Sequence, residues 1–114
     1  GLVLEAWAAG AAAVRPGARC ADVDRAARRV IEDAGYGAQF GHGLGHGIGL
    51  DIHEDPRLSR HSTQTLRPGM IVTVEPGIYL PGVGGVRLED DLLVTERGSR
   101  NLCSLPKDID WATL

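Results

Sequence analysis

Apolar positions change their spacing twice along this chain, and each change marks a different kind of element. Residues 2–14 are alanine-rich and place Val3, Trp7, Ala11 and Val14 at helical intervals, which predicts a first helix. Arg15-Pro16-Gly17 should stop it, because proline lacks an N–H and glycine permits the reversal. A second helix is expected over 21–34, with Val23, Ala27, Val30, Ile31 and Ala34 on one stripe. Asp24, Arg25, Arg28 and Glu32 fall mostly opposite, and Gly35 is the natural C-terminal stop. Beyond Gly37 the helical period is lost. Residues 41–49 alternate glycine with larger side chains and read as a glycine-lined bend, followed by a short extended run at 50–53. Strands are predicted at 70–75, 78–80, 86–89, 91–95 and 101–103, separated by Pro76-Gly77, by the turn at 81–85 and by Glu96-Arg97-Gly98-Ser99. Two helices followed by an antiparallel-type sheet give an α+β class, with the helices packed on the sheet.

Size and composition narrow the possibilities. With 114 residues the chain forms one domain at most, and folding at this length buries roughly two thirds of the unfolded surface. Hydrophobic residues at 43% and charged residues at 24% exclude a disordered chain. Neither a membrane-spanning apolar run nor a signal-peptide pattern is present. A net charge of −3 argues against a nucleic-acid partner. Cys20 and Cys103 are too few for a disulfide framework, so a reducing cytoplasm is the expected location.

Candidate chemistry concentrates in the middle of the chain. His42, His46, His53 and His61 are the four histidines, and they share one short stretch in which glycine recurs at every second position from 41 to 49. Residues up to Tyr36 carry as many arginines as acids, so the net negative charge belongs to the strand region. There Glu75, Glu89, Asp90 and Asp91 stand in or beside apolar strands, where a carboxylate is costly unless paired or bound to metal. No phosphate-loop motif can be placed. His53-Glu54-Asp55-Pro56-Arg57 begins like a helical zinc motif, but it ends in arginine and contains a helix-breaking proline. A thiolate zinc site is excluded for lack of paired cysteines. Histidine with carboxylates remains, a donor set suited to zinc, manganese, cobalt or ferrous iron. A divalent ion in such a site lowers the pKa of its water toward neutrality.

Three ordered blocks carry a resemblance. His42-Gly-Leu-Gly-His46-Gly-Ile-Gly-Leu-Asp-Ile-His53-Glu-Asp-Pro56, Pro68-Gly-Met-Ile-Val-Thr-Val-Glu75-Pro-Gly-Ile-Tyr79 and Gly85-Val-Arg87-Leu-Glu89-Asp-Asp91 are similar to the Xaa-Pro aminopeptidase and prolidase branch of the pita-bread metallopeptidases. That superfamily also contains methionine aminopeptidases and creatinase. The resemblance implies hydrolysis of an Xaa-Pro peptide bond by water activated at a two-ion centre, with manganese the first choice of ion and cobalt, zinc or iron alternatives. His46 and Glu75 would ligate one ion, Glu75 would help deprotonate the water, and Glu89 would bridge both ions. His42 and His53 would steady the tetrahedral intermediate and the scissile amide, and Arg87 would lie near the bridging carboxylate or the substrate. Tyr79, Trp7 and Trp111 are expected to pack, and His61 to be a surface residue.

The same resemblance implies two further aspartate ligands, which this chain does not supply. Asp22 and Asp33 have a similar spacing but lie on a predicted helix. Residues 1–114 therefore read as the C-terminal half of a catalytic domain, with strand-rich metal-site residues from about 38 to 103. Such a half would hold at most one ion well, be inactive alone, and expose strand edges that invite self-association or pairing with the missing half. The alternative function is a non-catalytic pita-bread module that binds peptides or proteins.

Overall fold

The computed structural model describes residues 1–48 and 56–102. Helix α1 spans Leu2–Ala13 and helix α2 spans Cys20–Asp33. Seven strands follow: β1 (Gly45–Ile48), β2 (Arg57–Leu58), β3 (Ile71–Val74), β4 (Gly77–Leu80), β5 (Gly84–Arg87), β6 (Asp90–Val94) and β7 (Ser99–Asn101). Five of them form an antiparallel sheet in the order β2-β1-β3-β6-β7, while β4 and β5 form a separate hairpin. The expected α+β arrangement is present. No helix of the described residues is long and apolar enough to cross a membrane.

Each helix ends for a local reason. After α1 the chain turns extended at Val14, and Gly17 adopts a left-handed φ of 84°. At the end of α2, Gly35 has φ 92°, and the amides of Gly35 and Tyr36 donate to the carbonyls of Glu32 and Ile31. That is the Schellman closure glycine favours, because a Cβ would oppose the left-handed conformation.

Two expectations about the helical faces change. On α1 the fully buried positions are Val3, Ala6 and Gly10, with Trp7 and Ala11 partly buried against the core. On α2 the buried face is Cys20, Val23, Asp24, Ala27, Arg28 and Ile31, so Asp24 and Arg28 lie inside, not opposite the apolar stripe. Ala34 is exposed. Burial pushes the Cys20 thiol pKa up through desolvation, which suits a packing group.

Glycine at position 10 sets how closely the layers approach. A Cβ there would meet Leu44 at 3.1 Å, Ala27 at 3.2 Å and Val74 at 3.4 Å, so α1 rests on α2, the residue before β1 and the central strand at once. The sheet alternates accordingly. Val72 and Val74 of β3, with Leu92 and Val94 of β6, point into the core under the helices. By the two-residue period, Thr73 and the residue after Val74, Glu75, belong to the opposite face.

The largest departure from the sequence reading is β1. Part of the expected bend is a strand, paired to β2 through Gly45↔Leu58 and to β3 through Gly47↔Val72. Glycine is needed at position 45 because a Cβ would collide with the Thr73 carbonyl on β3. The extended run expected at 50–53 lies outside the described residues, and the last predicted strand is found at Ser99–Asn101. Replacing Gly10 by valine should destabilise the fold by about 1–3 kcal/mol through overpacking, read as a lower urea midpoint with unchanged m; an unchanged midpoint would show that this three-way contact is not close.

Candidate metal centre

Glu75 and Glu89 occupy equivalent places, the short links where the chain leaves the main sheet for the β4–β5 hairpin and returns. Glu75 follows β3 directly, and Glu89 stands between β5 and β6 beside the buried Leu88. Arg87, at the end of β5, is two positions before Glu89 and shares its face by strand alternation. His46 comes from β1, next to β3 in the sheet, and its register places it on the face of Thr73 and Glu75. Its amide donates to Thr73 Oγ1 at 3.0 Å, a further tie between the two strands.

These elements bring His46, Glu75, Arg87 and Glu89 into one chain of side-chain contacts. His46 Nε2 lies 3.7 Å from Glu75 Oε2, and the Glu75 side chain is only 15% exposed. Arg87 extends one terminal nitrogen to Glu75 Oε1 at 3.8 Å and the other to Glu89 Oε1 at 3.5 Å. Among the described residues, no three of His, Cys, Asp and Glu stand close enough to hold an ion together. The guanidinium bridges the two carboxylates, as a cation between like charges should.

The histidine rings are oriented by their own backbone. His46 Nδ1 is 2.9 Å from the Gly47 carbonyl, which can only accept, so Nδ1 carries a proton and Nε2 is the nitrogen that faces Glu75. A metal-ligating histidine usually has this arrangement, with its second nitrogen donating to a carbonyl. Imidazole nitrogen beside a half-buried carboxylate fits a borderline divalent ion. His42 repeats the pattern, its Nδ1 held by the Gly43 carbonyl at 2.6 Å.

His42 sits in a stack that begins in the core. The Arg28 guanidinium lies over the Phe40 ring at 4.2 Å, Phe40 meets His42 edge-on at 5.0 Å, and His42 meets the Tyr79 ring at 5.7 Å. The Tyr79 hydroxyl is 3.4 Å from His42 Nε2. Tyr79 is thus a neighbour of the site and not the core residue expected, its exposed ring lying over Gly77 and Gly85 on the hairpin.

Beneath this stack is a buried ion pair that the helical period alone does not reveal. Arg28 Nε donates to Asp24 Oδ2 at 2.9 Å and one terminal nitrogen to Asp24 Oδ1 at 3.2 Å. The guanidinium also donates to the carbonyls of Phe40 at 3.0 Å and His42 at 2.7 Å. Asp24 Oδ1 accepts from the Leu44 amide at 3.0 Å, while the Leu44 carbonyl accepts from the Glu75 amide at 2.7 Å. The available signal was an acid and a base four apart, flanked by Val23 and Ala27 of the apolar stripe.

Other candidate positions separate from this group. His53 lies outside the described residues, as do Cys103 and Trp111. Asp22 and Asp33 are on α2, with Asp33 in an exposed pair with Arg29. His61 is exposed and lines a cleft of about 550 Å³ with Arg28, Glu32, Phe40, His42 and Arg60, apart from Glu75 and Glu89.

Comparison with known proteins follows the same outline. A model of metallopeptidase family M24 matches residues 1–96. The chain is 44% identical over 108 residues to an Xaa-Pro dipeptidase of Pyrococcus horikoshii, covering 95% of this chain and 31% of that protein. Among solved structures, a prolidase from Pyrococcus furiosus superimposes with a TM-score of 0.89 at 47% identity, over 92% of this chain and 31% of that one. An Xaa-Pro dipeptidase from Bacillus anthracis gives a TM-score of 0.90 at 49% identity, over 95% and 30%. The fold likeness bears out the pita-bread expectation. The chain spans about a third of the length of these relatives.

Arg28→Ala should cost about 3–5 kcal/mol in stability, because it leaves Asp24 buried and unneutralised. Removing the exposed Arg29–Asp33 pair by Arg29→Ala should cost less than about 0.5 kcal/mol. Denaturation of both variants checks the contrast, and equal costs would contradict the burial of Asp24.

Proposed function

The chain belongs to metallopeptidase family M24, and on that premise we propose that it supplies histidine and glutamate ligands to a centre that hydrolyses Xaa-Pro peptide bonds. The observation that carries this reading is the pairing of His46 Nε2 with the Glu75 carboxylate across two neighbouring strands. His46 and Glu75 would hold one divalent ion, and Glu89 would bridge it to a second. When bound, the ion supplies Lewis acidity that makes water a nucleophile near neutral pH. Manganese is the first assignment, with cobalt, zinc and ferrous iron compatible with the same donors.

The chain's own groups have separate tasks in this scheme. Ionised Glu75 is an acceptor and takes a proton from the attacking water. Arg87 balances the charge of Glu75 and Glu89 and lets them stand near one another when both are ionised. His42, whose Nδ1 proton is held by Gly43, has Nε2 beside the Tyr79 hydroxyl; it and His53 are assigned to the scissile amide and the tetrahedral intermediate.

Residues 1–114 are in this proposal the C-terminal half of a catalytic domain. Two further aspartates, needed for the second ion, come from a completing segment outside them. The outer strands of the main sheet, β2 and β7, and the exposed side chains of Ile48 and Leu102 are where that segment or a second copy would associate. A cytoplasmic location is proposed from the low cysteine content alone.

Calorimetric titration with manganese tests the site. His46→Ala should weaken binding by at least about tenfold; equal affinity would remove His46 from the ligand set. A second measurement concerns completeness. The 114-residue chain alone should not hydrolyse an Xaa-Pro dipeptide and should sediment as an associated species, whereas adding the completing segment should give hydrolysis that Glu75→Gln lowers by about 10²–10⁴-fold. Full activity of the chain alone, as a monomer, would contradict the two-part scheme.

A further inference from the structure

We infer that the buried Asp24–Arg28 pair is a positioning device for His42, acting from the helical layer on a residue at the open side of the sheet. The inference rests on the reading of His42 as a substrate-facing residue, and adds residues to which the family likeness assigns no role. Asp24 is fully buried and Arg28 is 8% exposed, so two charges have been taken from water into the core. That costs stability unless every donor and acceptor finds a partner. Here the guanidinium spends two contacts on Asp24 and the other two on the carbonyls of Phe40 and His42.

Those two carbonyls belong to residues on either side of Gly41, in a segment that lies in neither helix nor strand. No sheet ladder fixes its path. Arg28 therefore substitutes for a ladder, and its planar fork makes four hydrogen bonds at once, two to the carboxylate and one to each carbonyl, where an ammonium has only three donors. The same guanidinium stacks on Phe40, whose ring stands nearly perpendicular to that of His42 with centroids 5.0 Å apart. Backbone and ring of His42 are thus both referred to one buried cation. His46 differs: it lies within β1, where pairing to β2 and β3 fixes it independently.

This difference makes the inference testable apart from activity. In the assembled domain, metal-free, labelled at histidine nitrogens and held at mildly alkaline pH, His42 and His46 should both show a protonated Nδ1 and an unprotonated Nε2. Arg28→Lys keeps the charge facing Asp24 but loses the carbonyl contacts. It should move the His42 nitrogens toward the averaged shifts of mixed tautomers and leave His46 as it was. In the same variant kcat for an Xaa-Pro dipeptide should fall by about a hundredfold, with KM and manganese affinity little changed. An unchanged His42 spectrum in folded Arg28→Lys overturns the inference, as does an equal change at both histidines. Should Arg28→Lys fail to fold, Asp24→Asn decides: it weakens the hold on Arg28 and should shift His42 in the same direction, and no shift refutes the proposal. If the unsubstituted domain cleaves no Xaa-Pro peptide, the functional reading fails, while the nitrogen spectra still decide the positioning role.

Discussion

A single buried guanidinium joins the two halves of this structure. Arg28 lies on the inward face of α2, paired with Asp24, and its hydrogen bonds beyond that pair go to the segment leading into β1. Asp24 continues the connection through the Leu44 amide, and the Leu44 carbonyl passes it to the amide of Glu75. A helix of otherwise ordinary amphipathic design is in this way tied to two residues of the candidate centre. Hydrophobic burial alone would not fix such a relation, because it is non-directional, whereas four hydrogen bonds from a planar group define both distance and angle. The desolvation of both charges is offset only while these partners are all in place.

On the sheet the governing constraint is the two-residue period combined with close approach. Val72 and Val74 face the helices, so Thr73 and Glu75 face away, and β1 must lie near enough to bring His46 beside them. Gly45 permits that approach at the Thr73 carbonyl. The hairpin adds the second carboxylate: Glu75 marks the departure from the main sheet and Glu89 the return, with Arg87 holding both. Ring orientation follows from backbone carbonyls one residue along, which fix the proton on Nδ1 of His42 and of His46.

Much of this could be read from the residues alone. Both helices lie within a residue of their expected ends, since Pro16, Gly17 and Gly35 act locally. Strands β3, β4 and β6 followed from β-branched runs and turn glycines, whereas β5 takes in Gly84 and Gly85 of the expected turn and ends before Glu89. The rest depended on non-local contacts. Glycine's weak strand propensity concealed β1, because what favours a strand there is a neighbouring carbonyl contributed from position 73. Asp24 and Arg28 looked like a solvated face because a helical wheel counts charge but not the carbonyls waiting to receive it. Tyr79 read as packing, yet it is 41% exposed, and only the fold shows its hydroxyl reaching His42. Of the candidate site, His46, Glu75, Arg87 and Glu89 were picked out through the resemblance their motifs carry, since spacing alone did not single them out, and the structure joins them in one chain of contacts.

The central claim is that a divalent ion sits at His46 and Glu75. Paramagnetic broadening by manganese in histidine-labelled protein tests it most directly, since the effect falls steeply with distance from the ion. The account predicts that His46 Nε2 is lost first at substoichiometric manganese, with His42 affected next and His61 unchanged. Broadening of His61 before or together with His46 would place the ion elsewhere and contradict it.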